Sequence, residues 1–410
     1  MWKVVTTLLG LCVSLTALAA PGKLLRDESL RQDAGVDARM LATLARGEAV
    51  DILERAGGWL RVATRQGEGW VRLLSVRADV SAQTAPLAEL RGELAPASRR
   101  LESRIVAVAG FRGGEDEERI EAAGQDALRR LEAFRIPAAE AAASAATSGL
   151  VVNKAACGAF PRVDLDGASE SGAVRLSLMS AWLLNRLSPR DEDRIGRALA
   201  ARLLNTLPAV ENPSLQRDVN RVGRWVVAAQ GGRPEASWLF VVLDSDAIQT
   251  WSTPGGYVFI TLGLHRLLRD EAELAAVLGR EVARLADGRL LRDLRANAAS
   301  SGRPADEAAF LRQLLGEGLE ALQRPHDAEG EYLADRAAVM LATRAGYDPY
   351  ALAAFLQRLG GLPENDPRLA WMARTQPRAD ARLTRLANSL EECLDRLPAG
   401  QAPCLDRKEQ

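Results

Sequence analysis

The sequence predicts an α+β protein, with a small all-β barrel near its N-terminal end followed by a mostly helical domain. Residues 22–78 alternate apolar and polar positions in short runs separated by glycine-containing turns, as short strands do. From residue 151 onward, amphipathic helix patterns surround two short apolar runs typical of buried strands. The 410 residues carry a net charge of −1, which gives no indication of nucleic-acid binding.

The first residues have the pattern of an export signal. A single lysine precedes an apolar run from Val4 to Leu18, and small residues stand at Ala17 and Ala19. We therefore predict a signal peptide over residues 1–19 and an exported protein of the periplasm or cell envelope. No later stretch has the roughly 18 uninterrupted apolar residues of a membrane span.

Residues 20–78 resemble the bacterial Src-homology-3-like domain in the order of their turn motifs. The matching pieces are Leu30-Arg31, Gly47-Glu48, Gly57-Gly58-Trp59 and Gly69-Trp70-Val71. The resemblance implies a module that binds cell-wall or other peptides. The alternative is that Trp59 and Trp70 are core residues of a small barrel.

Residues 79–150 read as a helical connector that passes into a linker. A helix is predicted near Glu115–Phe134, and Ala138–Ser148 is nearly all Ala, Glu and Ser, which we interpret as linker. The second domain is predicted over residues 151–390. Its helices lie near Leu176–Leu187, Asp191–Leu207 and Pro213–Ala229, and its buried strands at Trp238–Leu243 and Tyr257–Thr261.

The cysteines near the C-terminus suggest a disulfide. In an oxidising compartment, Cys393 and Cys404 would close a short loop across a turn-prone segment, within a tail over residues 391–410. Two reduced thiols are the alternative. Cys157 is then the odd thiol, and we assign it no catalytic role.

The central helix, predicted over Leu268–Leu285, carries the sequence REVAR. Its two arginines, Arg280 and Arg284, stand one helical turn apart with Glu281 beside them. This is the frame of H-E-x-x-H, in which two histidines hold zinc and the glutamate activates its water. A guanidinium has no usable lone pair and stays protonated, so neither arginine can ligate zinc.

Four ordered motifs closely resemble the HtpX/BepA-like zinc metalloendopeptidase family, gluzincins with a zincin fold. They are the strand run with Asp244, Asp246 and Ile248, then PGGYVFITLGL, then LRDEAELAAVLG before REVAR, then EYLAD with AGYDP. The resemblance covers roughly residues 180–390. It implies a zincin-type metallopeptidase domain, with zinc as the family cofactor.

The resemblance places the family's site residue by residue. The two zinc-binding histidines fall on Arg280 and Arg284, and the general base falls on Glu281. The third ligand falls on Glu331, and its downstream aspartate on Asp335.

Two further motifs of the family have counterparts in this sequence with different residues. A His-Pro of the family corresponds to Gln376-Pro377, and the Asn-Ala-Phe run to Gln249-Thr250-Trp251. We expect the substrate groove along Gly255, Gly256, Tyr257 and Phe259, with the strand Tyr257–Thr261 pairing with an extended polypeptide.

These positions predict a metal-free charge cluster. We expect Arg280 and Arg284 to pair with Glu331, Asp335 or Glu281, with Gln376 nearby, and no zinc to bind. In the alternative, one or both arginines extend into solvent. His265 and His326 stand at no ligand position of the motif, so we expect neither to rebuild a zinc site.

The predicted function is therefore binding rather than proteolysis. We expect a proteolytically inactive relative of metalloendopeptidases that binds polypeptide segments or envelope proteins in cell-envelope protein quality control. The alternatives are an active zinc protease with a non-standard ligand set, or a cell-wall-binding protein acting through the Src-homology-3-like domain. No nucleic-acid partner is expected.

Overall fold

The computed structural model describes residues 20–56, 58–78, 115–152, 189–230, 238–286 and 328–394. The predicted signal peptide, the helix near Leu176–Leu187, Cys157, His326 and Cys404 lie outside these residues, as does the side chain of Cys393. None of the helices in the described part is long and apolar enough to cross a membrane.

The described residues of the N-terminal region form one antiparallel sheet of seven strands, with a 3₁₀ turn (Leu73–Ser75) between the sixth and the seventh. The strands are β1 (Ala20–Leu24), β2 (Glu28–Arg31), β3 (Met40–Leu44), β4 (Ala49–Ala56), β5 (Trp59–Thr64), β6 (Gly67–Arg72) and β7 (Val76–Ala78), in the order β3-β2-β6-β5-β4-β1-β7. Apolar residues of several strands are fully buried, among them Leu30 of β2, Val62 of β5 and Val71 of β6. Trp59 is buried as well, with the Arg72 guanidinium 6.0 Å from its ring centre. The all-β start of the chain is as expected.

Two helices follow, α1 (Glu115–Glu132) and α2 (Ala138–Thr147). The linker predicted over residues 138–148 is wrong, because nearly all of it is helix α2. Ala141 and Ala145 are one turn apart on its buried face, where small side chains let α2 approach the next helical layer closely. Ser144 accepts a hydrogen bond at 3.2 Å from Nη1 of Arg221 in that layer.

The helical domain surrounds a three-stranded sheet. Its helices are α3 (Pro189–Thr206), α4 (Pro213–Gln230), α5 (Leu262–Leu267), α6 (Glu271–Ala286), α7 (Ala328–Arg344), α8 (Ala351–Gly360), α9 (Ala370–Thr375) and α10 (Ala379–Leu394). The strands are β8 (Leu239–Leu243), β9 (Thr250–Thr253) and β10 (Tyr257–Thr261), in the order β8-β10-β9.

The strand order contradicts the predicted pairing of an extended polypeptide with the strand Tyr257–Thr261. β10 lies in the middle of the sheet, parallel to β8 and antiparallel to β9, so it has no free edge for an added strand. Tyr257 and Phe259 are fully buried. Gly255 and Gly256 form the β9–β10 turn with φ of 80° and 91°, values that glycine adopts without strain.

Side chains of α4 occupy the outer edge of β8. The Gln216 amide donates to Val242 O at 2.9 Å and accepts from Val242 N at 2.9 Å. Asn220 makes the same two contacts with Phe240, at 2.6 and 2.9 Å. The main chain of residues 208–210 also pairs with the end of β8, where Val210 N donates to Val242 O at 2.9 Å. The amides and this segment together replace the partners that a neighbouring strand would supply.

The N-terminal sheet docks on the helical domain through α8 and α10. Gln357 of α8 is buried and donates to two main-chain oxygens of the sheet region, Leu73 O and Val76 O, the second at 2.7 Å. Gly58 lies against the ring of Tyr350, where a Cβ would come within 2.4 Å of ring atoms. Buried apolar residues of both regions belong to one continuous core.

Candidate functional site

The REVAR sequence lies in the second half of α6, against α7. Buried residues run along α6 from Glu273 to Ala283, because the helix packs on α4, on α7 and on the sheet. At Gly279, a Cβ would lie 3.6 Å from Ala338 O of α7, which is ordinary van der Waals contact. The two helices are therefore close enough for their charged side chains to meet.

Arg280 lies among three carboxylates. Its Nε is 3.0 Å from Oδ1 of Asp335, its Nη1 is 3.1 Å from Oε1 of Glu281, and its Nη2 contacts Oε2 of Glu331. The Arg280 side chain is only 4% exposed, and the three carboxylates are 0–1% exposed. The guanidinium thus fills the space between the carboxylates of α6 and α7.

Arg284 lies at the edge of the same group. Its Nη1 is 3.6 Å from Oε1 of Glu281 and its Nε is 3.6 Å from Oε1 of Glu331. Its side chain is 17% exposed. Arg284 therefore reaches both carboxylates from a partly solvated position.

The Glu281 carboxylate is also held from the sheet side. Thr250 donates its hydroxyl to Oε1 at 2.8 Å, and Ser252 donates to Oε2 at 2.9 Å. Thr250 and Ser252 are two residues apart on β9 and so point to the same face of the strand. Both oxygens of Glu281 accept hydrogen bonds from the protein.

A third arginine, Arg382 of α10, completes the group. Its Nε and Nη2 donate to the two oxygens of Asp335 at 2.8 and 2.6 Å, a bidentate pair. Its Nη1 donates to Oε1 of Gln376 at 3.3 Å. We call Arg280, Glu281, Arg284, Glu331, Asp335 and Arg382 the charge cluster.

The charge cluster contains three guanidiniums and three carboxylates, so its formal charges cancel. Burial and the neighbouring Arg382 lower the pKa of Arg280 to about 10, against the attraction of Asp335 and Glu281. Burial also opposes ionisation of Glu281. The guanidiniums of Arg284 and Arg280, with the hydroxyls of β9, outweigh it and lower the pKa of Glu281. Both groups are charged at neutral pH.

Zinc does not fit the residues present at these positions. The two guanidiniums supply donors and no lone pair, and Arg280 occupies the space that faces Glu331. Across the described ranges, no three His, Cys, Asp or Glu side chains are arranged to hold a metal ion. The donor set can neutralise and hydrogen-bond, but it cannot act as a Lewis acid.

His265 lies away from the charge cluster. It is in the last turn of α5, before α6 begins. Burial and the charge of Arg266 lower the pKa of His265, which is therefore neutral at pH 7. The structure does not bring it to the charge cluster.

Three parts of the site were not predicted from the sequence. They are the hydroxyls of Thr250 and Ser252, the role of Arg382, and the α4 amides that contact β8. The Thr-x-Ser spacing of β9 is a readable signal, since alternate strand residues share a face. The i, i+4 spacing of Gln216 and Asn220 is a similar signal on α4. Arg382 carries no such local signal, because its partner Asp335 is 47 residues away.

Two family models match the chain. The model described as peptidase family M48 matches residues 212–390, which include the whole charge cluster. The model described as bacterial SH3 domain matches residues 29–75, within the N-terminal sheet.

The chain is also similar to curated proteins from three bacteria. It is 27% identical over 227 residues to the putative beta-barrel assembly-enhancing protease of Vibrio cholerae, covering 52% of this chain and 46% of that protein. It is 24% identical over 220 residues to the beta-barrel assembly-enhancing proteases of Escherichia coli O157:H7 and Yersinia pestis, covering 49% of this chain and 44% of each. The chain thus spans less than half the length of these relatives.

Proposed function

Because the chain contains a peptidase family M48 domain behind a bacterial SH3 domain, we propose that it is a proteolytically inactive member of that family which binds polypeptides in the cell envelope. The observation that carries the proposal is the placement of Arg280. Its guanidinium sits between Glu281, Glu331 and Asp335, where the family's motif has a zinc ligand.

Glu281 supports the absence of proteolysis in a second way. A general base must have a lone pair free to take a proton from water, and a pKa near the working pH. Here both oxygens of Glu281 accept hydrogen bonds from β9, and two arginines pair with one of them. Its lowered pKa makes it a weak base.

Polypeptide binding is proposed at β9, because it is the other edge strand of the sheet that the described residues form. β10 is internal, and the amides of Gln216 and Asn220 occupy the outer edge of β8. Within the described part of the chain, this leaves the edge of β9 as the place where an extended segment would add to the sheet. The residues of β9 are buried, so access requires displacement of what covers them. Among the described residues, Gly196 O contacts one end of β9 through Thr253 Oγ1, at 3.0 Å.

The cell envelope is proposed as the setting from the relatives and from the sequence. The relatives are named for enhancing beta-barrel assembly, and the residues before Ala20 have the pattern of an export signal. The expected partners are therefore envelope proteins presented as unfolded or extended segments. Retention of a binding surface without cleavage suits a holding role in quality control.

The test begins with metal content and proteolysis. Residues 20–410 are equilibrated with zinc and desalted, and bound metal is measured by plasma mass spectrometry. Hydrolysis of casein is followed in parallel with E281Q as the control. We expect no stoichiometric zinc and no hydrolysis above that of E281Q. One zinc per chain, with hydrolysis abolished by chelator and by E281Q, would overturn the proposal.

Binding is measured separately. An extended polypeptide, such as a urea-unfolded outer-membrane β-barrel protein diluted into buffer, is photo-crosslinked to a probe placed at Trp251. We expect crosslinking that is unchanged by chelator, since no metal takes part. Absence of crosslinking at β9 would contradict the binding site. A pull-down of sacculi by the full chain tests whether the SH3 domain binds cell wall instead.

A further inference from the structure

The hydroxyls of β9 connect the charge cluster to the edge of the sheet. Thr250 and Ser252 are 4% and 7% exposed, and each donates to a different oxygen of the fully buried Glu281. Within the described part of the chain, these two hydrogen bonds, at 2.8 and 2.9 Å, connect side chains of β9 to the charge cluster. The strand proposed to receive a polypeptide is thus tied to the cluster at two points.

The opposite face of β9 is held differently. Trp251 packs edge-on against Trp371 of α9, with ring centres 6.0 Å apart. Gln249, which precedes β9, donates to Thr375 Oγ1 at 3.5 Å, and Thr253 donates to Gly196 O at 3.0 Å; both are hydrogen bonds between uncharged groups. Hydrogen bonds to an ionised carboxylate are about twice as strong as neutral ones. The cluster side therefore contributes the stronger polar restraint on β9.

We propose that Thr250 and Ser252 are positioning residues through which the charge cluster fixes β9 for polypeptide binding. The charge cluster then has a function that does not require catalysis. Glu281 holds the edge strand β9 through hydrogen bonds and does not activate water. The binding part of this inference rests on the proposed function, whereas the positioning part rests on the geometry alone.

The chain offers a matched set of variants. T250V removes the hydroxyl and keeps the side-chain shape, whereas T250S keeps the hydroxyl and removes a methyl group. Each is made in the full chain with Glu281 and with E281Q, which retains an acceptor oxygen but not its charge. If T250V does not fold, S252A removes the other hydroxyl and takes its place in the same design.

The first readout is urea unfolding followed by tryptophan fluorescence. T250V should raise the unfolding equilibrium constant by about tenfold or more when Glu281 is present. In E281Q it should raise the constant by only about threefold, because the bond is then neutral. T250S should change it by less than about threefold. Equal effects of T250V in both backgrounds would overturn the positioning role.

The second readout is the affinity for the unfolded β-barrel protein. T250V should weaken binding several-fold and T250S should not, at temperatures where all variants remain folded. Unchanged affinity in T250V would contradict the role of the charge cluster in binding. If the unaltered chain binds no polypeptide, the proposed function fails, and the unfolding experiment still decides whether Thr250 positions Glu281.

Discussion

Replacement of Arg280 by methionine tests the charge cluster most directly. Methionine removes the guanidinium but keeps most of the side-chain length. The guanidinium contacts Glu281, Glu331 and Asp335, each 0–1% exposed. Its removal leaves three buried carboxylates facing two arginines, so one negative charge is uncompensated. Breaking a buried ion pair in this way costs about 3–5 kcal/mol.

The burial of Arg280 itself reduces this figure. Its pKa of about 10, below the ordinary 12.5, means that the folded protein opposes its charged form. Relief of that cost places the expected loss near the lower limit, about 3 kcal/mol. This is a large part of the 5–15 kcal/mol by which domains are stable.

The assay is urea unfolding at pH 7 of R280M, R284M and the double variant R280M/E331Q. Arg284 is the matched control, because it is partly solvated and its carboxylate contacts are 3.6 Å long. We expect R284M to lose about 1 kcal/mol or less. R280M/E331Q should recover part of the loss, because it removes the uncompensated charge. Equal small losses in R280M and R284M would refute the reasoning.

Three other predictions follow from contacts described above. The E281Q variant should be less stable than the unaltered chain at neutral pH. Because the pKa of Glu281 is lowered in the folded state, the difference should shrink as pH falls below about 4.5; a pH-independent difference would contradict this. Q357L removes two hydrogen bonds to the N-terminal sheet region, so calorimetry of this variant should show the N-terminal sheet unfolding separately from the helical domain. A single unchanged transition would argue against docking through Gln357. The double variant Q216L/N220L bares the part of the β8 edge before its pairing with residues 208–210, so light scattering should detect self-association that Q216L alone shows weakly. A monomeric double variant would rule out edge protection by the amides.

The candidate site was partly readable from the sequence because its main residues follow helical spacing. The REVAR frame gave Arg280, Glu281 and Arg284, and the spacing of Glu331 and Asp335 gave one face of α7. The structure brings these side chains together within hydrogen-bond or ion-pair distance. Their lack of catalytic function remains a prediction.

The features that the sequence did not predict depend on contacts between distant parts of the chain. Strand order is not encoded in local alternation, so the sequence does not show that β8 and β9 flank β10 and leave it no edge for an added polypeptide. The simple composition after Pro137 suggests a linker, whereas the structure has helix α2 there, with two alanines buried and the helix packed on α4. Docking of the N-terminal sheet through Gln357 left no signal in sequence, because its partners are main-chain oxygens.

The amides that pair with β8 restrict where a further strand could be added to the three-stranded sheet. Gln216, Asn220 and the main chain of residues 208–210 pair with one side of the sheet, so a strand added under the proposed function would lie on the other side. There it would be a neighbour of the strand that contacts Glu281. Binding of an added polypeptide and a change in the charge cluster would then both act on the same few residues, Thr250 to Thr253.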